Sequence, residues 1–508
     1  MIGGALALLA GLLHAAAGAR YGYFRDELYF IACSKHLAWG YVDQGPLVAV
    51  AARLAAPFGY ALPALRALPI LAAAGTVSLA VALCRESGGG RFAQLLAGVS
   101  TLLLPAYLLL GTTLTTTSFE PFFWTLCVYL TVRLLRDGPQ RAHVWWPLLG
   151  CAAALGAYGK YSIALLAGGL LAGLVATPAR RVLRTPYAPA AAGIALLLLA
   201  PNLAWQAAHG WPIFEVLAGD AAHRPALQNG YALEYRNLAS NALAFALEQL
   251  LYTNPLAAPV WIAGLIAPYR YPALRDLRFI TIGYAAIFLC AAALGAKGYY
   301  IVGIYASLLA LGAVAVERTA VPLRYALFAA LAGAGVLAAP LSLPILPVNV
   351  LVAYSARLGL TGRDGTAPHL IQPIFAEEFG WQGLARDVAA VYDSLPGDER
   401  RRTAIYADTY GDAGALDFFG PQYGLPPVIS SQNSYYLWGT RGYDGKTLVA
   451  IGATRIALLH RFYRSVVLVR TSSDPYKWVV EGPAPIYLCR EPLAPLRQIW
   501  PQLRWYGA

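Results

Sequence analysis

The chain has 508 residues, of which 58% are hydrophobic and only 13% are charged. Soluble globular proteins carry about 25% charged residues, so this composition excludes an ordinary soluble fold for most of the chain. The net charge of +12 does not indicate nucleic-acid binding, because most basic residues of the first 330 positions lie in short segments between apolar runs. Such residues set membrane topology. The composition predicts a membrane protein without a nucleic-acid partner.

Apolar runs of about 20 residues, the length that crosses a bilayer as a helix, recur through the first two thirds of the chain. The first run resembles a signal peptide but lacks a basic start, so we interpret it as an uncleaved span. We predict a polytopic α-helical protein with about eleven transmembrane helices, near 1–19, 62–84, 92–110, 119–136, 144–158, 160–177, 188–206, 245–267, 279–295, 299–316 and 325–346.

Arginines cluster in every second loop of this arrangement. The clusters are Arg85 and Arg91; Arg133, Arg136 and Arg141; Arg180, Arg181 and Arg184; Arg270, Arg275 and Arg278; and Arg318 and Arg324. The positive-inside rule assigns these loops to the cytoplasm. The other loops and everything after 346 are then extracytoplasmic, in a multi-pass protein of the inner or plasma membrane. The loop over 207–244 is long and aromatic, and we interpret it as a lid or an acceptor-binding segment.

The last third of the chain regains charged residues and changes its pattern. The runs 403–407 (TAIYA), 448–451 and 465–469 (SVVLV) predict buried strands. Residues 381–395 have apolar side chains at the spacing of an amphipathic helix. We therefore predict two domains, a transmembrane domain over 1–346 and a small extracytoplasmic α/β domain over 347–508.

The external stretch 21–53 carries three acids close to apolar spans, where carboxylates are costly unless they have a partner or a function. Asp26 and Glu27 begin a predicted helix, and Asp43 precedes another helical run. The simpler interpretation is that these acids cap helix N-termini. The functional interpretation is that one of them is the general base of a transfer reaction, which burial beside lipid would favour by raising its pKa.

A fourth acid, Glu120, lies where a predicted span re-enters the membrane, with Pro121 in its first turn. Interaction with the helix dipole would account for an acid at this position. An acid within the first turn of a span also indicates a functional site, and we predict a role in substrate binding.

Two lysines lie at external turns between closely spaced spans and are flanked by tyrosines. Lys160 occurs in GAYGKYS, and Lys297 occurs in GAKGYY, where it precedes Tyr299 and Tyr300. Such lysines can simply extend to lipid headgroups. The functional interpretation is that they bind a phosphate leaving group and neutralise its charge as the bond breaks. Arg25, Lys35 and His36 in the first external loop could assist them.

Common cofactor motifs are missing from the sequence. It has no P-loop, dinucleotide fingerprint or HExxH, and its histidines lack the spacing of metal ligands. We therefore assign no cofactor and leave a divalent metal open. The sequence shows no transporter-like repeats.

Three segments taken together carry a family resemblance: FRDELYFIACSKHLAWGYVDQGPLVA, TTTSFEPFFW and GAKGYY. Over residues 1–345 the chain resembles the bacterial branch of the protein O-mannosyltransferase superfamily, which comprises GT-C enzymes of glycosyltransferase family 39 and includes ArnT-like proteins. On this resemblance Asp26 takes the catalytic position, with Glu27 beside it, and Asp43 matches the second acid of the loop. ArnT-like members have Glu-Lys-Pro there. Because Gln44 replaces that lysine here, the resemblance shifts the phosphate contact to Lys160 and Lys297.

The resemblance implies an integral-membrane glycosyltransferase. Its donor would be a polyprenyl-phosphate-linked hexose or pentose, and transfer would invert the sugar carbon on the extracytoplasmic face. The acceptor would be an unidentified lipid, glycan or protein, and membrane lipids would surround the spans. Two alternatives remain open at this point. A transporter or flippase of lipid-linked sugars would use the same cavity and cations without needing Asp26. A non-catalytic scaffold would use the 347–508 region as a binding module.

Overall fold

The computed structural model of the chain describes residues 1–227, 238–360, 362–364, 367–452, 456–477 and 483–507. These residues form two compact units, and neither unit is one continuous stretch. The first comprises the described residues of Met1–Ala19, Pro63–Ala204 and Ala232–Leu346, and the second comprises those of Arg20–Leu62, Trp205–Tyr231 and Pro347–Ala508. The division into domains at 346/347 stays a prediction.

Helices dominate the chain up to residue 346. The α-helices there are Ile2–Ala17, Arg25–Lys35, Leu47–Ala55, Leu62–Leu65, Ala67–Glu86, Arg91–Leu102, Pro105–Leu110, Glu120–Asp137, Ala142–Gly159, Ile163–Val175, Tyr187–Ala208, Pro212–Leu227, Leu238–Tyr252, Ala258–Arg270, Arg278–Ala293, Tyr305–Glu317 and Val321–Ala338. Short 3-10 helices connect them at Ala56–Phe58, Thr116–Phe119, Pro139–Arg141, Pro178–Leu183, Pro255–Ala257, Pro272–Leu277, Gly298–Ile304 and Ala339–Leu341.

Five helical stretches in the described residues are long and apolar enough to cross a membrane: Ala67–Glu86, Tyr187–Ala208, Pro272–Ala293, Gly298–Glu317 and Val321–Leu341. A sixth candidate is the pair Asn241–Tyr252 and Pro255–Arg270, which is bent by 96°. The count of about eleven spans stays a prediction.

The span expected near 92–110 is not one helix. It consists of Arg91–Leu102 and Pro105–Leu110. Pro105 lacks a backbone N–H and disfavours helical backbone at the preceding residue, and Leu104 is accordingly extended.

The first unit packs around the helix Tyr305–Glu317, in which every residue from Tyr305 to Val316 is buried. Glycine permits its closest contact. A Cβ atom on Gly312 would collide with the Val260 carbonyl of the helix Ala258–Arg270. Small residues let membrane helices approach closely and gain dispersion contacts, so this glycine brings the two helices together.

The second unit combines helices with β-strands. Its α-helices after residue 346 are Val348–Arg357, Pro373–Ala376, Trp381–Asp393, Gly397–Arg400, Tyr410–Phe419, Asn433–Trp438, Ile456–Phe462 and Leu496–Leu503, with a 3-10 helix at Gly420–Tyr423. Its strands are β1 (Gly362–Asp364), β2 (Ala367–His369), β3 (Ala404–Ala407), β4 (Val428–Ser430), β5 (Thr447–Ile451), β6 (Tyr463–Ser472) and β7 (Ala484–Pro492).

Five of these strands form one mixed sheet in the order β4-β3-β5-β7-β6. Strands β4, β3 and β5 are parallel, whereas β7 runs antiparallel to both β5 and β6. Strands β1 and β2 form a separate antiparallel pair. Loops at the carboxyl ends of parallel strands commonly hold functional residues, and the residues after β3 and β4 form part of the site described next.

The predicted small α/β region is confirmed, including the helix Trp381–Asp393 and the strands β3 and β5. The expectation of a buried strand at 465–469 is only half right. The segment lies in β6, but Val467 and Leu468 are 52% and 53% exposed. β6 is an edge strand that pairs with β7 alone among the strands of the described residues. Its side chains therefore have neighbouring strand residues on only one side.

Most of the described part of the predicted loop over 207–244 is helical, and its interpretation as a lid or an acceptor-binding segment stays a prediction. Pro212–Leu227 is a helix, and Leu238–Tyr252 begins another. The remaining part of the predicted lid, 228–237, lies outside the described residues. Alternating aromatic, small and charged residues obscured the helical period in this part of the sequence.

Candidate active site

The first external loop begins with the helix Arg25–Lys35, and one of its two acids caps it. The backbone N–H of Phe24, the N-cap residue, donates to Glu27 Oε2 over 2.9 Å, which is the half of a capping box that the N3 acid supplies. Glu27 is fully buried at 0% exposure. This geometry favours the structural interpretation for Glu27, whose catalytic assignment stays a prediction.

Asp26 adjoins Glu27 but is held differently. The Tyr410 hydroxyl donates to Asp26 Oδ1 over 2.9 Å, and Arg25 Nε lies 3.5 Å from the same oxygen. The Arg25 guanidinium also lies over the Tyr410 ring, 5.2 Å from its centroid, and 3.5 Å from Glu377. The Asp26 side chain remains 28% exposed. It is therefore fixed in place yet accessible.

Asp43 lies in a tight turn in which the Tyr41 N–H donates to the Gln44 carbonyl over 3.1 Å. The Tyr29 hydroxyl donates to Asp43 Oδ1 over 2.9 Å, and Asn433 Nδ2 donates to Oδ2 over 3.2 Å. The following helix begins only at Leu47, so the interpretation of Asp43 as its N-cap is wrong.

Burial raises the pKa of Asp43 to about 7, and the negative charge of Asp26 acts in the same direction. Hydrogen bonds from Tyr29 and Asn433 oppose this shift. A carboxyl group with this pKa changes its charge near neutral pH, where a general base works best. Charge on one of the two acids therefore influences the other.

Two tyrosines link the acids. The rings of Tyr29 and Tyr410 pack together with centroids 4.8 Å apart, and each hydroxyl donates to one acid, Tyr29 to Asp43 and Tyr410 to Asp26. The Ser434 N–H in turn donates to the Tyr29 hydroxyl over 3.2 Å. The two acids thus share one hydrogen-bonded, aromatic support.

Sequence reasoning missed Tyr410 and Asn433, which are more than 380 positions from the acids they contact. One signal could have found them. Tyr410 comes three residues after β3 ends, and Asn433 comes three residues after β4 ends. Polar residues directly after buried parallel strands are candidates for a functional site.

His36 and Gln44 lie apart from the hydrogen bonds of the two acids. His36 stacks on Trp438 with ring centroids 4.3 Å apart, and burial lowers the pKa of its imidazole. Lys35 and His36 line a cleft of about 250 Å³ beside Arg441. Gln44 is buried, with its Nε2 3.7 Å from Cys33 Sγ. At the position where the resemblance leads us to expect a lysine, this chain thus has a buried neutral amide, which cannot compensate a phosphate charge.

The first unit contains a second acidic site, centred on Glu120 and Lys160. Glu120 begins the helix Glu120–Asp137 with Pro121 in the first turn. Lys160 Nζ lies 3.3 Å from Glu120 Oε2, and the Ser162 hydroxyl donates to Oε1 over 2.9 Å. Lys160 also donates to Thr117 Oγ1 over 2.9 Å. The Glu120 side chain is 1% exposed, so water does little to compensate its charge. The Lys160 ammonium supplies the counter-charge.

Two aromatic rings also lie close to the Lys160 ammonium. Its nitrogen lies 4.6 Å from the ring centroid of Tyr299 and 4.3 Å from that of Tyr300, distances at which a cation is attracted to a ring face. Lys297 directly precedes the 3-10 helix that carries both tyrosines and is half-buried. Four predicted residues, Glu120, Lys160, Tyr299 and Tyr300, therefore come together.

The predicted residues thus fall into two groups. Arg25, Asp26, Glu27, His36 and Asp43 belong to the second compact unit, and Glu120, Lys160, Lys297, Tyr299 and Tyr300 belong to the first. Among the described residues, no three His, Cys, Asp or Glu side chains are arranged to hold a metal ion.

A family model supports the resemblance in part of the chain. Residues 43–205 match the model for dolichyl-phosphate-mannose-protein mannosyltransferase. No curated protein sequence matches the chain.

Solved structures extend the likeness to nearly the whole chain. The structure of ArnT from Cupriavidus metallidurans bound to undecaprenyl phosphate matches with a TM-score of 0.62 and 16% identity, covering 95% of this chain and 96% of that one. The apo structure of the same protein matches with a TM-score of 0.60 and 15% identity, with the same coverage. At this identity the likeness shows the fold, a GT-C membrane fold. The matched family model covers residues 43–205, about a third of the chain, and agrees with this fold.

Proposed function

We propose that the protein transfers a sugar from a polyprenyl-phosphate donor to an acceptor on the extracytoplasmic face, with inversion at the sugar carbon and Asp26 as general base. Asp26 takes the proton of the acceptor hydroxyl or amine. The acceptor atom forms a bond to the anomeric carbon as the bond from that carbon to the phosphate oxygen breaks, and polyprenyl phosphate leaves.

The observation that carries this proposal is the state of the Asp26 side chain. It is fixed by the Tyr410 hydroxyl and by Arg25 and is still 28% exposed. A base must be held in one orientation and must reach the proton that it removes. Glu27, its neighbour, is also held in one orientation, but it is buried and therefore does not meet the second condition. Asp43 supports Asp26 as the second, electrostatically coupled acid.

The donor is proposed from the comparisons and from the chemistry of the cations. ArnT from Cupriavidus metallidurans has been crystallised with undecaprenyl phosphate, and a donor of the same chemical class suits a chain of this fold. Lys160 and Lys297 keep their predicted role of neutralising the phosphate. The Glu120 pair and the two tyrosine rings restrict the ammonium of Lys160. Such restriction lowers the entropy that a phosphate contact would lose.

The side of the membrane follows from the arginines. The five clusters between residues 85 and 324 occupy alternate loops of the predicted topology, and the positive-inside rule favours the cytoplasm for them. The loop that carries Asp26 and the region after residue 346 then face outward. A reporter enzyme fused after residue 350 is expected to be active only outside the cytoplasm, and a cytoplasmic signal would overturn this topology.

The catalytic assignment is tested with Asp26→Asn. Native membranes receive undecaprenyl-phosphate hexoses and pentoses that are radiolabelled in the sugar, and label transferred to membrane acceptors is measured. We expect Asp26→Asn to lose about 10²–10⁴-fold in rate, with partial recovery in Asp26→Glu. Asp398→Asn is the matched control, because its side chain is 87% exposed.

The outcomes separate the proposal from its rivals. Full activity of Asp26→Asn would overturn the assignment of the base. Translocation of the labelled lipid without cleavage of the sugar–phosphate bond in the unmodified protein would favour a flippase instead. Binding without either process would favour a scaffold.

A further inference from the structure

The short segment Trp505–Gly507 lies against the residues that follow β4. The Trp505 N–H donates to the Ser431 carbonyl over 3.1 Å, and the Asn433 N–H donates to the Trp505 carbonyl over 2.9 Å. Tyr506 is buried and packs in a cluster with Val42, the residue before Asp43. The segment thus contacts both the loop after β4 and the turn that carries Asp43.

The first consequence concerns the side-chain amide of Asn433. The Gly507 N–H donates to Asn433 Oδ1 over 3.0 Å. Because that oxygen is the acceptor, the amide must direct its Nδ2 donor to the opposite side, where it donates to Asp43 Oδ2 over 3.2 Å. The amide of Gly507 therefore selects which end of Asn433 meets the carboxylate of Asp43.

The second consequence concerns Gln432, whose side-chain amide is oriented from the same residue. Gln432 Nε2 donates to the Gly507 carbonyl over 2.8 Å, which leaves Oε1 to accept the Tyr410 N–H over 2.6 Å. Tyr410 in turn donates its hydroxyl to Asp26. One peptide residue, Gly507, thereby orients two amides that lead to the two acids.

Three features distinguish these contacts from ordinary packing. Gln432 and Asn433 are each 2% exposed, so a wrongly oriented amide would leave buried polar atoms unsatisfied. Asn433 has a φ of 48°, a left-handed conformation that Asn adopts more readily than most residues. Its Nδ2 donates to a carboxylate of the proposed site rather than to the backbone of the sheet.

We propose that Trp505–Gly507 positions Asp26 and Asp43 through Gln432 and Asn433, which are positioning residues and not catalytic ones. This inference rests on the proposed function, because it assigns the segment to the acids of that same site. The segment acts on Asp43 through one hydrogen bond from Asn433. It acts on Asp26 through Gln432, which accepts a hydrogen bond from the Tyr410 backbone N–H, and then through the Tyr410 hydroxyl, which donates to Asp26.

The pH dependence of transfer reports this positioning, because the charge of Asp43 depends on its hydrogen bonds. The titratable and charged groups that influence Asp43 or its neighbours are Asp26, Tyr29, Cys33, Tyr410, Arg25 and Glu377. Burial raises the pKa of Tyr29, Cys33 and Tyr410 above their ordinary values, so these three remain neutral near pH 7. A change in the acid limb of the profile then reports the acid pair.

The test measures transfer from the radiolabelled undecaprenyl-phosphate sugars against pH for Asn433→Asp. This variant puts a carboxylate where Nδ2 meets Asp43. We expect the acid limb of kcat/KM to move to higher pH by about 1–3 units, since a like charge disfavours ionisation. Gln498→Glu is the matched control, because this amide is exposed in the same α/β region, and it should keep the unmodified profile.

A second variant covers the case in which Asn433→Asp does not fold. Asn433→Gly suits the left-handed backbone and removes the amide, and it should shift the acid limb in the same direction by a smaller amount. An unchanged profile in a folded Asn433 variant would overturn the positioning role. If Asn433 variants are unchanged while Asp26→Asn is inactive, only this inference fails. If Asp26→Asn is fully active, the assignment of Asp26 as the base fails, and the positioning of that acid loses its role in catalysis.

Discussion

The two acidic sites of this protein differ in how their charges are compensated. Glu120 in the first unit is 1% exposed and has a lysine ammonium 3.3 Å away. Asp43 in the second unit receives hydrogen bonds from a hydroxyl and an amide and lies near another acid, Asp26. An opposite charge beside a buried carboxyl group favours its charged form, whereas a like charge nearby disfavours that form. The first arrangement suits a fixed electrostatic contact and the second suits proton transfer.

The largest effect is expected from separating the ion pair. Lys160→Met should destabilise the protein by about 3–5 kcal/mol, because the buried charge of Glu120 loses its counterion. The double variant Lys160→Met/Glu120→Gln should regain most of that loss. Thermal unfolding of the purified protein in detergent measures both. A single variant as stable as the double one would show that the pair is not coupled.

The next effect concerns the hydroxyl donors of the second site. Tyr410→Phe removes the hydrogen bond to Asp26, and we expect about a 10–100-fold loss in kcat, since hydrogen bonds to charged groups contribute about 1.5–3 kcal/mol. Tyr443→Phe is the control, because its hydroxyl donates to the Pro427 carbonyl instead. Equal kcat values for the two variants would show that the hydrogen bond from the Tyr410 hydroxyl to Asp26 does not contribute to catalysis.

A smaller effect is a pH dependence of stability. Asp43 keeps its proton up to about pH 7 in the folded protein but loses it near the ordinary value of 3.8 when unfolded. Between these values the folded state holds more protons, so the free energy of unfolding falls as pH rises and levels off above pH 7.

The Tm should therefore decrease by a few °C between about pH 5 and pH 8, and Asp43→Asn should lessen this decrease. Asp398→Asn is the contrasting variant, because its side chain is 87% exposed, and it should leave the pH dependence unchanged. Melting curves in detergent at several pH values measure the slope. An Asp43→Asn slope equal to that of the unmodified protein would remove Asp43 as its source.

The smallest effect compares two neighbouring acids. Glu27→Ala removes the side chain that caps the helix Arg25–Lys35 and should cost about 1 kcal/mol of stability. The same variant should keep the pH profile of transfer. A loss of transfer as large as that of Asp26→Asn, in a folded protein, would restore Glu27 as a catalytic acid.

Local patterns in the sequence predicted much of the fold. The helix that begins at Arg25, the strands β3 and β5, and the turns that hold Lys160 and Lys297 all follow from nearby residues. The meeting of Glu120 with Lys160 and of Lys160 with two tyrosines was expected only as shared substrate binding, yet it is a direct contact.

The partners of the two acids could not be predicted, because they depend on chain topology. Tyr410 and Asn433 reach the acids only after the parallel strands β3 and β4 align. A hydrogen bond between residues 384 positions apart leaves no periodic signal in the sequence. The break at Leu104 was missed because an apolar run looks continuous even where a proline interrupts its helix.

The position of Tyr410 and Asn433 directly after strand ends has a consequence for how this protein can be altered. Strand residues such as Ile405 and Ile429 are buried and maintain the sheet, whereas the residues that follow them support the acids. Libraries restricted to 408–410 and 431–434 would change the surroundings of Asp26 and Asp43 while leaving the sheet intact. Because Tyr410 and Asn433 are themselves buried and hydrogen-bonded, such libraries should be screened for stability together with altered acceptor preference.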